Sequence, residues 1–143
     1  MTILLILLGC LPFILGGLMH WLMMSNSFLF SNVGYIAASI LTLLLWAVLA
    51  YFIKPYIKST QKVLIGMHAI PAFVLLLLVI QELFLHSYWS NFFGLLTQIY
   101  YLPLLRLSTI LIGWLTTSLS VIFFVAFLLM IGAAFVGCKL RRK

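Results

Sequence analysis

Residues 1–53 read MTILLILLGCLPFILGGLMHWLMMSNSFLFSNVGYIAASILTLLLWAVLAYFI and contain no Asp, Glu, Lys or Arg. Only the short polar stretches Ser25-Asn26-Ser27 and Ser31-Asn32 interrupt this apolar run, near its middle. A transmembrane helix needs about 20 apolar residues, so the run predicts two spans joined by a short hairpin. We place these spans at residues 2–24 and 33–53.

The rest of the 143-residue chain is similarly apolar. Hydrophobic residues make up 66% of the sequence and charged residues only 6%, against about a quarter in soluble domains. This composition excludes a water-soluble globule. Two further apolar stretches predict spans at residues 63–85 and 108–136. We therefore predict an all-α integral membrane protein, in which residues 1–143 form one bundle of four transmembrane helices.

Positive charge predicts the orientation of the bundle. Lys and Arg beside a span resist translocation across the membrane. Seven of the eight cations follow the second span or lie in the tail at residues 137–143: Lys54, Lys58, Lys62, Lys139, Arg141, Arg142 and Lys143. Four spans bring both groups to one side. We expect a multi-pass protein of a bacterial plasma membrane with both termini in the cytoplasm.

The outer segment at residues 87–107 is too long for a tight turn and too apolar for a solvated loop. Six aromatic residues between Tyr88 and Tyr101 favour the headgroup level of the bilayer. We predict a short amphipathic interfacial helix over residues 91–102, ended by Pro103. A rival fifth span over about residues 92–112 would place Arg106 deep in lipid and send the basic tail outside.

Small residues at spacings of four predict faces where helix backbones approach closely. The second span carries Gly34, Ala38 and Thr42, and the fourth carries Gly113 and Thr117. We expect these faces to pack within the bundle or against another copy of the chain.

An outer polar cluster is the main functional candidate. The predicted topology brings His20, Glu82, His86 and Arg106 to similar depth, with Glu82 and His86 one turn apart on the third span. Glu82 and Arg106 could form a structural ion pair. Glu82 and the histidines could instead handle protons or cations. A third reading is a metal or haem site formed by His20, Glu82 and His86.

The sequence carries no catalytic motif. It has no phosphate-binding glycine loop, no Cys-x-x-Cys, and no second carboxylate for acid–base work. We therefore expect a non-catalytic accessory subunit of a larger membrane complex, without a resident cofactor. The expected partners are the lipid bilayer and a membrane protein or further copies of the chain, not nucleic acid. One alternative is an oligomeric proton- or cation-handling transporter or channel that uses Glu82 and the nearby histidines. The other is a metal- or haem-binding membrane protein.

Overall fold

The computed structural model describes residues 2–25, 32–57, 59–86, 88–89, 91–115 and 118–141, and its regular elements there are all helical. A 3-10 turn at Lys54–Tyr56 follows the third helix. The helices are α1 (Thr2–Gly9), α2 (Leu11–Ser25), α3 (Asn32–Ile53), α4 (Thr60–Leu83), α5 (Phe92–Ile112) and α6 (Leu119–Leu140).

In the described part of the chain, five helical stretches are long and apolar enough to cross a membrane: Leu4–Ser25, Asn32–Tyr56, Thr60–Leu83, Phe92–Ile112 and Leu119–Leu140. Their lengths and composition indicate an integral membrane protein. Four of the stretches have a mean hydropathy between 2.0 and 2.8, whereas that of Phe92–Ile112 is 1.4. The α5 helix is thus the least apolar of the five.

The contacts of α6 fix its direction relative to α3 and α4. At its start, Ser118 and Ser120 bond to Glu82, near the end of α4. Just beyond its other end, Arg141 donates a 2.9 Å hydrogen bond to Tyr51, near the end of α3. The α6 helix is therefore antiparallel to α4 and parallel to α3. We call these two ends of the bundle the Glu82 end and the basic end, the latter carrying Lys54, Lys62, Lys139 and Arg141.

The α3 and α6 backbones approach each other closely at Gly137. A methyl group there would overlap the carbonyl group of Ala47. Next to this contact, Ala50, Ala134 and Cys138 are fully buried. The two backbones approach because small residues face each other, as is common where membrane helices pack.

The first apolar stretch is broken in two at Cys10, two residues before Pro12. Proline has no N–H and disturbs the helical bonding pattern around it. The N–H of Phe13 bonds to the Cys10 carbonyl instead of that of Gly9. The Gly9 carbonyl then accepts a 2.7 Å hydrogen bond from the Tyr100 hydroxyl of α5.

Both ends of α5 connect to the Glu82 end of the bundle. Before α5, the N–H of Trp89 donates to the Gln81 side chain in the last turn of α4. After α5, the chain returns to Glu82, which accepts a hydrogen bond from the Ser118 hydroxyl. Between these points α5 packs against α2, α3, α4 and α6, with Tyr100 and Tyr101 at most 1% exposed. The Tyr101 hydroxyl donates to the Pro71 carbonyl of α4.

The prediction of a short helix over residues 91–102 that ends at Pro103 was wrong. One helix runs through Pro103 to Ile112. Proline at this position leaves the carbonyl of Ile99 without its usual helical donor. That carbonyl lies against Gly16 of α2, where a methyl group would overlap it, and Ser39 of α3 donates to the Pro103 carbonyl. Contacts with neighbouring helices thus hold the proline inside α5.

The prediction of one continuous span over residues 108–136 was also wrong. The α5 helix ends at Ile112, a turn follows at residues 113–115, and α6 begins only at Leu119. Apolar residues flank the break on both sides, so the hydropathy of the sequence does not reveal it. The α6 N-terminus is instead fixed by its hydrogen bonds to Glu82.

Candidate functional site

The Glu82 carboxylate joins three parts of the chain. Its Oε1 atom accepts a 2.8 Å hydrogen bond from the Ser118 hydroxyl. Its Oε2 atom accepts from the Tyr88 hydroxyl at 2.8 Å, and from both the N–H and the hydroxyl of Ser120 at 2.5 Å. Glu82 thereby connects α4, the segment before α5, and the first turn of α6.

Glu82 takes the place of an N-cap residue for α6. Ser118 occupies the N-cap position, but its side chain accepts no hydrogen bond from its own helix. The first N–H groups of a helix lack partners within it, and a negative charge nearby is favourable. The carboxylate of Glu82 supplies both the acceptor, for Ser120, and the charge. This arrangement stabilises the start of α6.

Tyr88 lies outside the helices and completes this group of donors. Partial burial raises the pKa of Tyr88, and the hydrogen bond to Glu82 raises it further. The hydroxyl therefore stays protonated well above neutral pH and continues to donate to the carboxylate.

A cavity of about 260 Å³ lies beside Tyr88. Two further polar side chains line it, His20 of α2 and Gln98 of α5, and the rest of its wall is apolar. The remaining lining residues are Leu95, Ile99, Leu102, Leu105, Leu119 and Phe123. His20 therefore shares this cavity with Tyr88, which in turn bonds to Glu82.

His86 does not lie on the α4 face that carries Glu82. The helix ends at Leu83, where the N–H groups of Phe84 and Leu85 both bond to the Ile80 carbonyl. His86 follows with a φ of 49° and an exposed side chain. Heptad spacing placed this residue one turn above Glu82, but the chain has already left the helix there.

Arg106 lies about 21 Å along α5 from Phe92, at 1.5 Å per residue. It is partly buried, and its Nε atom has no hydrogen-bond partner among the described residues. Both Arg106 and Glu82 are described, and they form no ion pair: the described partners of the carboxylate are serines and a tyrosine. Both oxygens of the Glu82 carboxylate accept hydrogen bonds from Tyr88, Ser118 and Ser120 instead.

The predicted metal site of His20, Glu82 and His86 does not assemble. His20, Glu82 and His86 all lie in the described part of the chain, where no group of three or more His, Cys, Asp or Glu residues could hold a metal ion.

His68 has a structural setting that the sequence reasoning missed. It is buried between α3, α4 and α6. The indole N–H of Trp46 donates to its Nε2 atom at 3.3 Å. Its Nδ1 atom then carries the proton and bonds to the Leu64 carbonyl at 2.8 Å. Trp46 and His68 lie at matching distances from the turn between α3 and α4, and this was the signal available in the sequence.

Gln81 was also missed. It is fully buried next to Glu82, and its amide bonds to both sides of the turn into α5. The oxygen accepts from the Trp89 N–H at 3.0 Å, and the nitrogen donates to the Thr97 hydroxyl at 3.3 Å. A buried amide with both functions satisfied holds the start of α5 against the end of α4.

The small-residue faces have mixed settings. Ala38 and Thr42 line a space between α2, α3 and Pro103, and the Thr42 hydroxyl bonds to the Ala38 carbonyl. Gly34 is half-buried, Gly113 caps the end of α5, and Thr117 lies outside the described residues.

The cations at the basic end are differently placed. Arg141 bonds to the Tyr51 hydroxyl and lies 4.9 Å from the centre of its ring. Lys62 and Lys139 are exposed, and Lys54 is half-buried. Lys58, Arg142 and Lys143 lie outside the described residues.

Comparison with known proteins adds no functional information. No family model, no curated protein and no solved structure matches the sequence.

Proposed function

We propose that this chain is a non-catalytic subunit or accessory factor of a larger membrane complex. The observation that carries the proposal is the setting of Arg106, a permanently charged side chain whose buried Nε has no partner among the described residues. Glu82, by contrast, is held by donors of its own chain, which favours a structural role over proton exchange or catalysis.

The proposed topology has four crossings, made by α1 with α2, by α3, by α4 and by α6. Two contacts support it: the segment before α5 bonds to the last turn of α4, and the chain after α5 bonds to Glu82. A segment whose two ends lie at one end of the bundle makes no net crossing. The low hydropathy of α5 fits this role. The cations of the basic end would then face the cytoplasm, with both termini.

A buried guanidinium nitrogen without a hydrogen-bond partner is costly in a membrane bundle. Insertion scales place the cost of an arginine at the centre of a membrane helix at about 2.5 to 3.5 kcal/mol, and such residues usually pair with an opposite charge. A carboxylate from a neighbouring membrane helix would relieve this cost.

The composition of the chain limits which kind of partner can supply that carboxylate. Glu82 is its only acidic side chain, and four donors of its own chain already bond to it. A second copy would therefore offer no free side-chain carboxylate to Arg106. This argument favours a different membrane protein, with an acidic residue in a transmembrane helix, over a homo-oligomer.

Affinity purification from the native host in a gentle detergent tests the proposal. We expect the wild-type chain to retain a membrane protein that carries an acidic residue within a span, and Arg106→Leu to release it. Lys62→Gln is the matched control, because it removes an exposed cation and should leave the complex intact. Circular dichroism should show that both variants are folded. Recovery of the wild-type chain alone in several detergents would contradict the proposal.

A further inference from the structure

A second cavity, of about 360 Å³, lies at the basic end between the start of α4 and the end of α6. It is lined by Thr60, Gln61, Leu64, Phe135 and Lys139. None of these residues belongs to the outer polar cluster or contacts Arg106 in the described contacts, so the cavity is a separate feature of the fold.

The lining changes character with depth. Thr60, Gln61 and Lys139 lie near the helix ends, where the bundle meets the headgroup region. Leu64 and Phe135 each lie four residues further into their helices, about 6 Å deeper at 1.5 Å per residue. The cavity therefore has a polar, positively charged mouth and an apolar wall directly below it.

The Thr60 hydroxyl has no hydrogen-bond partner in the described part of the chain. Its Oγ1 atom is buried, and no described residue forms a hydrogen bond with it. A buried hydroxyl without a hydrogen bond destabilises the folded protein. Thr60 lines the cavity, and rotation of its side chain toward an acceptor there would supply the missing hydrogen bond.

We infer that this cavity binds an anionic phospholipid, with the phosphate near Thr60 and Lys139 and the upper acyl chain along Leu64 and Phe135. Lys139 provides positive charge, and the only acidic side chain, Glu82, lies at the opposite end of the bundle. The apolar wall favours a lipid over free phosphate, because inorganic phosphate has no group to place against it. The inference rests on the proposed orientation, in which this end faces the cytoplasmic leaflet, where anionic lipids provide the negative surface charge.

Native mass spectrometry of the full-length protein in a mild detergent tests this site. Phosphatidylglycerol should be retained on the wild-type chain more strongly than phosphatidylcholine of the same acyl length. Lys139→Gln should weaken phosphatidylglycerol binding about fivefold, as expected for one charge near the membrane surface. Thr60→Val should weaken it by a similar factor, whereas Thr60→Ser, which keeps the hydroxyl, should bind as the wild type does.

Lys62→Gln is the matched control, because Lys62 is an exposed cation at the same end that does not line the cavity. It should change binding by less than about twofold. The inference would be overturned by equal retention of the two lipids, by an equal loss in Lys62→Gln and Lys139→Gln, or by displacement of phosphatidylglycerol with inorganic phosphate. Lipid binding is measured on the isolated chain, without any protein partner. A failure of lipid binding is therefore distinguishable from a failure of the proposed partner contact at Arg106.

Discussion

At the Glu82 end of the bundle a single negative charge accepts four hydrogen bonds from its own chain, whereas at the basic end several cations have few internal partners. The Glu82 carboxylate joins the ends of two helices and the segment before a third. At the basic end, Lys62 and Lys139 are exposed, and the buried Thr60 hydroxyl has no described partner. The charge that is matched within the chain holds helix ends together, whereas the exposed cations at the basic end contribute little to this packing.

Among substitutions that test this difference between the two ends, the largest effect on stability is expected at Glu82. Glu82→Ala should lower the free energy of unfolding by about 2 to 3 kcal/mol, because it leaves four donors without their acceptor. Unfolding in mixed detergent micelles, followed by circular dichroism, measures this change. A loss below about 0.5 kcal/mol would contradict the structural role, and so would a proton flux in liposomes that depends on Glu82.

A smaller effect is expected at Ser120, which donates to Glu82 through both its N–H and its hydroxyl. Ser120→Ala removes only the hydroxyl and should cost about 1 kcal/mol of unfolding free energy. In the Glu82→Ala background the same substitution should cost much less, because the acceptor is already absent. Equal costs in the two backgrounds would show that the pair does not interact.

Alkaline pH should lower the free energy of unfolding, because it deprotonates Tyr88 at the Glu82 end. The folded state raises the pKa of Tyr88 above its ordinary value of 10.0. Its contribution to stability is therefore full below pH 10.0 and is lost as the pH rises further toward the folded pKa. Because the side chain is partly exposed, we expect less than about 1 kcal/mol of extra loss between about pH 9 and pH 11 in the wild type relative to Tyr88→Phe. Unfolding curves at the two pH values measure the difference, and parallel losses would argue against this coupling.

The smallest effect is expected at the basic end. Lys62→Gln should change the unfolding free energy by less than about 0.5 kcal/mol, because Lys62 is exposed. Unfolding in mixed detergent micelles, followed by circular dichroism, measures this change as well. A loss comparable with that of Glu82→Ala would remove the contrast between the two ends.

The sequence predicted some helices closely. The α3 and α4 helices begin and end within three residues of the spans predicted at 33–53 and 63–85. Continuous apolar runs and adjacent lysines mark these helices, and both signals are local. The start of α4 is also marked locally, by the Ser59 hydroxyl that accepts from the N–H of Lys62.

The α5 helix could not be predicted in the same way. Proline normally ends a helix, and this rule led to an end at Pro103. The exception depends on Gly16, which leaves room for the Ile99 carbonyl, and on Ser39, which bonds to the Pro103 carbonyl. Ser39 and Pro103 are 64 positions apart in the chain, so no local pattern reveals the contact.

The sequence by itself determined that this chain is an all-α membrane protein, because hydropathy and the scarcity of charge are sums over local residues. Only the tertiary structure decided which groups donate hydrogen bonds to Glu82. It also decided that the buried Nε atom of Arg106 has no partner among the described residues. The carboxylate bonds to serines 36 and 38 positions away, on a helix whose start the sequence did not mark. The physical reason is that a buried polar group takes its partner from whichever segment packing brings near, and packing is a property of the whole bundle.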